Sequence, residues 1–269
     1  MNKKKAAILT ISGYLIVMII GVFASNLILN LIGGVRVDGM HINESNIISK
    51  LIIQIPPTIF ILYFINKYYG WKNVGFSKIN EGGLIWCIPY VVVILCMLSK
   101  FISEILKNIQ SFTTMTCITI ICTFIGAFLA GFSEEVIFRG VFLNSFKTRR
   151  SAIGAMILSS LGFSIMHLTT IVMGIPLLDV ITRVINSSLL GFAFVGLVIK
   201  VNNIWPIIIY HVIWNYIIMV SSAIGLEISS ITSICNILNL IMAIILWIII
   251  IKDELHRNKF VYHIDNLLD

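Results

Sequence analysis

Apolar residues in this chain come in runs of about twenty or more, separated by short polar stretches that carry most of the lysines. A helix needs about 20 apolar residues to cross the hydrocarbon core of a bilayer. Eight spans are therefore predicted, at roughly 7–32, 48–69, 84–106, 115–145, 151–173, 177–199, 203–224 and 230–251. The fold class that follows is all-α, a polytopic transmembrane helical bundle. The fourth run exceeds a single crossing, which calls for tilt, a break near Gly131 or extension into water. Pro56-Pro57 fall inside the second run and predict a kink, while Pro176 and Pro206 stand near the starts of later spans, where a missing N–H is tolerated. Gly126-x-x-x-Ala130 and Ala127-x-x-x-Gly131 would let helix backbones approach closely and predict a central place for the fourth span.

Composition removes the water-soluble alternatives. Hydrophobic residues make up 58% and charged residues 12%, with mean hydropathy +1.01, against a charged fraction of about 25% in soluble domains. The first run has the basic start of a signal peptide, but its apolar part is longer than the roughly 7–15 residues of that element, so it reads as an uncleaved span. No linker, charge block or repeat divides residues 1–269, and one membrane domain is the simplest account. Cys87, Cys96, Cys117, Cys122 and Cys235 are odd in number, widely spaced and without a C-x-x-C pair, which fits inert thiols in or beside spans.

The basic pI of 9.2 changes the picture only through where the charge lies, and it does not point to nucleic acid. With the N-terminus inside, the cytoplasmic side collects Lys3, Lys4, Lys5, Lys67, Lys72, Lys78, Lys147, Arg149, Arg150, Lys200, Lys252, Arg257 and Lys259. The other side keeps Arg36, Lys50, Lys100 and Lys107. That asymmetry predicts both termini in the cytoplasm, and the even number of spans agrees.

Three polar clusters interrupt the apolar runs. They are Glu134-Glu135-Val-Ile-Phe-Arg139 in the fourth, Phe163-Ser-Ile-Met-His167 in the fifth and His211-Val-Ile-Trp-Asn215 in the seventh. Ionisable groups at bilayer depth are costly and mark a site by default. On a helix, residues four apart share a face, which brings Glu135 to Arg139, Phe163 to His167 and His211 to Asn215. Glu134 points about 100° away from Glu135. Glu135, neutralised by Arg139, can stay ionised in a dry interior, whereas Glu134 is free to act on water as a general base. A histidine near it could share the proton, and His211 with Asn215 can both present donors to an oxyanion, which makes amide hydrolysis the reaction class. The bland reading of each piece is an ion pair, a packing imidazole and a helix–helix amide. A zinc ion on Glu134, His167 and His211 is the rival chemistry, although H-E-x-x-H is absent and Asn215 is a poor zinc ligand. Asp179 and Arg183, four apart at the start of the sixth span, predict an interfacial ion pair or, alternatively, the lining of a substrate entrance. His256 and His263 fall in a polar tail and carry no assignment.

These three motifs resemble those of the CPBP intramembrane proteases, which include the CAAX prenyl endopeptidases and the bacterial Abi, or bacteriocin-immunity, proteins. E-E-x-x-x-R, F-x-x-x-H and H-x-x-x-N/D appear in order in separate spans over about 115–220. The resemblance implies a multi-span protease with a water-filled cavity open towards the cytoplasmic side, cleaving near the C-terminus of a peptide or protein. It implies Glu134 as base, His167 as its partner, His211 and Asn215 as oxyanion stabilisers, and Glu135, Arg139 and Phe163 in support. The family has been described both as metal-dependent and as glutamate-dependent. The glutamate mechanism, with no cofactor, explains all three motifs without a fourth ligand, and zinc is the alternative. The Ile/Lys/Asn-rich composition looks bacterial, with the plasma membrane as location and a secreted peptide precursor, its leader or a membrane regulatory protein as substrate. Bacteriocin self-immunity is a role common in the family. The competing functions are a non-catalytic immunity partner and a proton-coupled transporter, the latter disfavoured by the missing repeat. Oligomeric state is not encoded in these patterns.

Overall fold

The computed structural model describes residues 3–31, 44–148 and 151–268. Arg36, Arg149 and Arg150 of the charge count lie outside them. The helices are α1 (Lys3–Leu31), α2 (Glu44–Phe64), α3 (Ile88–Asn108), α4 (Thr114–Glu135), α5 (Leu143–Phe146), α6 (Ile153–Met166), α7 (Leu177–Val201), α8 (Trp205–Ile224) and α9 (Ser229–Leu268). Among the described residues there is no strand. With their short π and 3-10 extensions, eight helical segments are long and apolar enough to cross a membrane: Lys3–Ile28, Leu51–Tyr69, Glu81–Ser111, Thr114–Phe146, Ile153–Met173, Leu177–Val201, Trp205–Ile224 and Ser229–His256.

Of the three alternatives for the fourth span, one is excluded. The fourth span does not break near Gly131. It runs as α-helix to Glu135, then changes winding into a π-helical segment, Val136–Phe142, before α5. α9 carries the backbone on as helix through the polar tail to Leu268.

The layering follows from which helices hide the most surface. Windows of α4, α7 and α8 are the most buried, and those of α2, α3 and α9 the least, so the first three form the interior of the bundle. α4 lies between α2 and α8, α7 lies between α6 and α9, and α1 packs on α2. Residues such as Ile16, Phe23, Leu95 and Ile121 stay exposed, as they must if lipid is the outer solvent.

Close approach is set by glycine, at places only partly foreseen. A Cβ on Gly131 would lie 3.2 Å from the backbone nitrogen of Val212, so the predicted small-residue contact joins α4 to α8. Gly126, the other glycine of that pattern, has nothing within 4 Å of such a Cβ and makes no close contact. On α1, a Cβ on Gly21 would sit 3.2 Å from the carbonyl oxygen of Ile53 and 3.5 Å from that of Ile52. These are the carbonyls whose intrahelical donors Pro56 and Pro57 remove. α2 continues through both prolines, and α1 supplies a Cα–H surface to the freed oxygens.

The loops at one end of the bundle are sewn together by backbone-directed bonds. The Asn80 side chain donates to Lys200 O at 3.0 Å, Ile204 N to Gly75 O at 3.0 Å, and Ala152 N to Glu254 Oε2 at 2.8 Å. Gly83 is the tightest point, since a Cβ there would be 2.1 Å from the carbonyl oxygen of Lys200. Gly83→Ala is therefore expected to lower stability by about 2 kcal/mol, in the range of forced overpacking. Gly154→Ala, where a Cβ meets nothing within 4 Å, should be neutral or slightly stabilising. Thermal unfolding of both variants in detergent checks the contrast.

Candidate active site

The last turn of α4 delivers Ser133, Glu134 and Glu135, all buried, to the middle of the bundle. The π-helical segment that follows places Arg139, which is fully buried. π segments are rare and recur at functional sites, because their loosened winding re-aims side chains. Here the segment is held from outside itself. Ser159 donates to Phe138 O at 2.9 Å, and the Asn144 amide donates to Gly140 O at 2.8 Å and Arg139 O at 3.2 Å. Gly140 lets Val74 approach, since a Cβ there would be 2.7 Å from the Val74 carbonyl oxygen.

Glu135 is the hub. Its Oε1 accepts from Arg139 Nη1 at 3.0 Å and lies 2.7 Å from His211 Nδ1, with both partners and the carboxylate almost wholly out of solvent. An ionised carboxylate can only accept, so Nδ1 carries a proton and Nε2 is turned to the other side of the ring. On that side stands Glu134, whose Oε2 is 3.8 Å from His211 Nε2. That gap is too long for a hydrogen bond and is suited to a bridging water. Glu134 Oε2 has no hydrogen-bond partner among the described residues.

Aromatic rings set the rest. The Arg139 guanidinium lies 4.1 Å from the centroid of Phe163 and 5.6 Å from that of Phe194, a cation–π arrangement that makes up part of the lost hydration. Phe163 meets the edges of both imidazoles, His167 at 5.1 Å and His211 at 5.9 Å between centroids. His167 is the first residue of the 3-10 segment that follows α6, and its Nε2 is buried without a partner among the described residues. Asn215 is half-buried one turn beyond His211, and its side chain has no hydrogen-bond partner among the described residues.

The structure thus brings Glu134, Glu135, Arg139, Phe163 and His211 into one cluster, with His167 on the far edge of Phe163 and Asn215 following on α8. The imidazole that reaches Glu134 is His211, whereas the resemblance gave that place to His167. Glu135 also does more than pair with Arg139, because it orients His211 as well. Asp179 and Arg183 make no ion pair among the described residues, contrary to the pairing expected of an i, i+4 couple. No three His, Cys, Asp or Glu side chains among the described residues are arranged to hold a metal ion. His211 Nδ1 is committed to Glu135, which leaves Nε2 as its free ring nitrogen.

Sequence reasoning missed three supporting residues. Tyr14 of α1 is fully buried and its hydroxyl is 2.9 Å from Ser133 Oγ, next to Glu134. Gly191 leaves room for Arg139, a Cβ there lying 3.5 Å from Nη2, and its carbonyl accepts from Ser160 at 3.0 Å. Phe194 closes the cluster on α7, 5.8 Å from His211. A tyrosine hydroxyl in mid-span was a visible signal, since a buried phenol needs a partner. Nothing in the sequence said which partner.

The family described as type II CAAX prenyl endopeptidase Rce1-like matches residues 116–217, the segment that holds all three motifs. Residues 116–217 are less than half of the 269-residue chain, and over that part the chain is similar to the CPBP/CAAX proteases to which the motifs point. Neither a curated protein nor a solved structure matches the chain.

Arg139→Met should cost about 3–5 kcal/mol, because it strands a buried carboxylate. Adding Glu135→Leu should recover part of the loss, and a thermal-unfolding double-mutant cycle measures it. Tyr14→Phe, which removes one buried neutral hydrogen bond, should cost about 1 kcal/mol in the same assay.

Proposed function

We propose that this chain is an intramembrane endopeptidase that hydrolyses a peptide bond of a peptide or membrane-associated protein, with Glu134 as the base. The observation that carries the reading is the division of labour between the two carboxylates. Glu135 takes both Arg139 and His211 through Oε1, while Glu134 bonds to neither and stands 3.8 Å from His211 Nε2; Oε2 of each carboxylate is without a hydrogen-bond partner among the described residues. A purely structural pair would not need the second carboxylate, which costs desolvation energy and forms no hydrogen bond through Oε2.

In this mechanism water lodges between Glu134 and His211. Glu134 takes one of its protons as the oxygen attacks the carbonyl carbon of the scissile bond. His211, with protons on both ring nitrogens and its charge balanced by Glu135, offers Nε2–H to the developing oxyanion, together with the Asn215 amide. With Glu134 and Glu135 ionised against Arg139 and His211, the cluster is neutral as a whole, the least expensive way to bury four charges. The tetrahedral intermediate collapses by breaking the C–N bond. Glu134 returns its proton to the leaving amine, and the other product leaves as a carboxylic acid. His167 contributes a second imidazole across Phe163, its Nε2 buried and without a partner among the described residues. No step is routed through a metal. The enzyme is placed in a bacterial plasma membrane with both termini in the cytoplasm, acting on a peptide precursor, its leader or a regulatory protein, with self-immunity to a bacteriocin as one outcome.

Glu134→Gln should lower kcat by about 10²–10⁴-fold, and Asn215→Ala by about 10²–10³-fold, with fold and thermal stability retained. Cleavage of co-expressed secreted precursors, followed by mass spectrometry, reads both. Chelators should leave the wild-type rate unchanged. A rate lost to chelation and restored by zinc alone would defeat the glutamate mechanism. Full biological protection by Glu134→Gln would replace the enzyme with a binding partner.

A further inference from the structure

Glu134 stands between two tethers. At about 100° per residue, Ser133 and Glu135 leave α4 about 200° apart, and Glu134 bisects that angle on the inner side of the helix. The outer side, with exposed Ile121, Ile125 and Phe128, meets lipid. On one flank Glu135 is held by His211 at 2.7 Å, and Gly131, four residues before it, lies against Val212. On the other flank Ser133 Oγ is 2.9 Å from the Tyr14 hydroxyl, and the carbonyl of Leu129, four residues before it, accepts from Thr58 at 3.3 Å. α8 thus grips one side of the turn, and α1 and α2 grip the other.

The second grip depends on a phenol. Ser133 Oγ donates to Ala130 O at 3.3 Å, which leaves it to accept from Tyr14. Both residues are fully buried, so the bond is shielded from water, and a phenylalanine would fill the same space without making it. The backbone alone holds this turn weakly, because the winding changes here and Val136 N–H is shared between Phe132 O and Ser133 O. Side-chain tips lie about 5–6 Å from a helix axis, so a rotation of about 10° in this turn would carry the Glu134 carboxylate about 1 Å. A displacement of that size costs about 10²-fold in rate.

We infer that Tyr14 is a positioning residue for the base: its bond to Ser133 fixes the rotation of the last turn of α4 and so keeps Glu134 Oε2 at its 3.8 Å spacing from His211 Nε2. Tyr14 acts through Ser133 and takes no proton in the reaction. The role brings in α1, which lies outside the segment 116–217 that matches the family. Thr10, one turn earlier on the same face of α1, is buried as well, and its hydroxyl lies 3.0 Å from that of Tyr69. It ties α1 to the end of the second span and not to α4, which makes it the matched control.

This inference rests on the proposed protease reading, but one of its two readouts does not require cleavage. Tyr14→Phe should lower kcat by about 10–100-fold with KM unchanged, the mark of an interaction expressed only in the transition state. Ser133→Ala should do the same, and the double variant should be no slower than either single one, because a single bond is lost in all three. Thr10→Val, which also removes one buried hydroxyl contact of α1, should keep the wild-type kcat. Equal losses in Tyr14→Phe and Thr10→Val, or an undiminished kcat in both Tyr14→Phe and Ser133→Ala, overturn the inference. Separately, isotope-edited infrared spectroscopy of labelled glutamate carboxyls in lipid nanodiscs identifies the Glu134 band as the one that Glu134→Gln removes. That band should shift in Tyr14→Phe and stay in place in Thr10→Val. A band unmoved by Tyr14→Phe overturns the positioning role even where kcat falls. If the wild type leaves every precursor uncut, the protease reading fails, and the infrared shift still decides whether Tyr14 positions Glu134.

Discussion

One carboxylate oxygen, Glu135 Oε1, holds the interior of this protein in order. It receives Arg139 at 3.0 Å and His211 at 2.7 Å in a region from which solvent is excluded. A guanidinium in such a place carries a desolvation penalty of several kcal/mol, and only a well-placed partner and polarisable surroundings make it tolerable. Phe163 and Phe194 supply the surroundings. Because the oxygen is shared, the arginine also fixes the imidazole, and α4 and α8 are locked by chemistry as well as by the contact of Gly131 with Val212. Glu134 is left as the one carboxylate of the pair with an unassigned task beside that imidazole.

The shared oxygen sits at the point where the winding changes after Glu135. An α-helix continued through Arg139 would present a different set of faces to α6 and α8. The freed carbonyls of the π segment are bonded by Ser159 and Asn144, so the irregularity is satisfied from within the protein. This is what a bilayer demands, since it offers no water to an orphaned backbone group. The same rule acts on α2, where two prolines release carbonyls that Gly21 of α1 covers. Helices outside the motif-bearing segment are thus part of the scaffold of the site, and Tyr14 of α1 reaches Ser133 directly.

Hydrolysis inside a membrane sets two opposing requirements, a dry shell that strengthens electrostatic contacts and a path by which water and substrate arrive. The buried cluster around Glu135 answers the first.

The eight spans were legible in the sequence because a bilayer penalises any long polar interruption, and apolar runs of sufficient length have no other stable place. The motif residues were legible for the complementary reason, that Glu134, Glu135, Arg139, His167 and His211 are too costly at such depth to be incidental. Local periodicity gave the Glu135–Arg139 pair, which sits on one helix. It failed for Asp179 and Arg183, where an exposed i, i+4 couple gains too little to be held together. What only the tertiary structure decided are the contacts between helices: that His211 rather than His167 stands beside Glu134, that Tyr14 meets Ser133 across 119 positions of sequence, and that the fourth span changes winding at Val136 instead of breaking at Gly131. Such facts depend on the rotation and depth of each helix against its neighbours. Those are fixed by glycine contacts, stacked rings and satisfied carbonyls summed over the whole bundle, and no single stretch of sequence contains them.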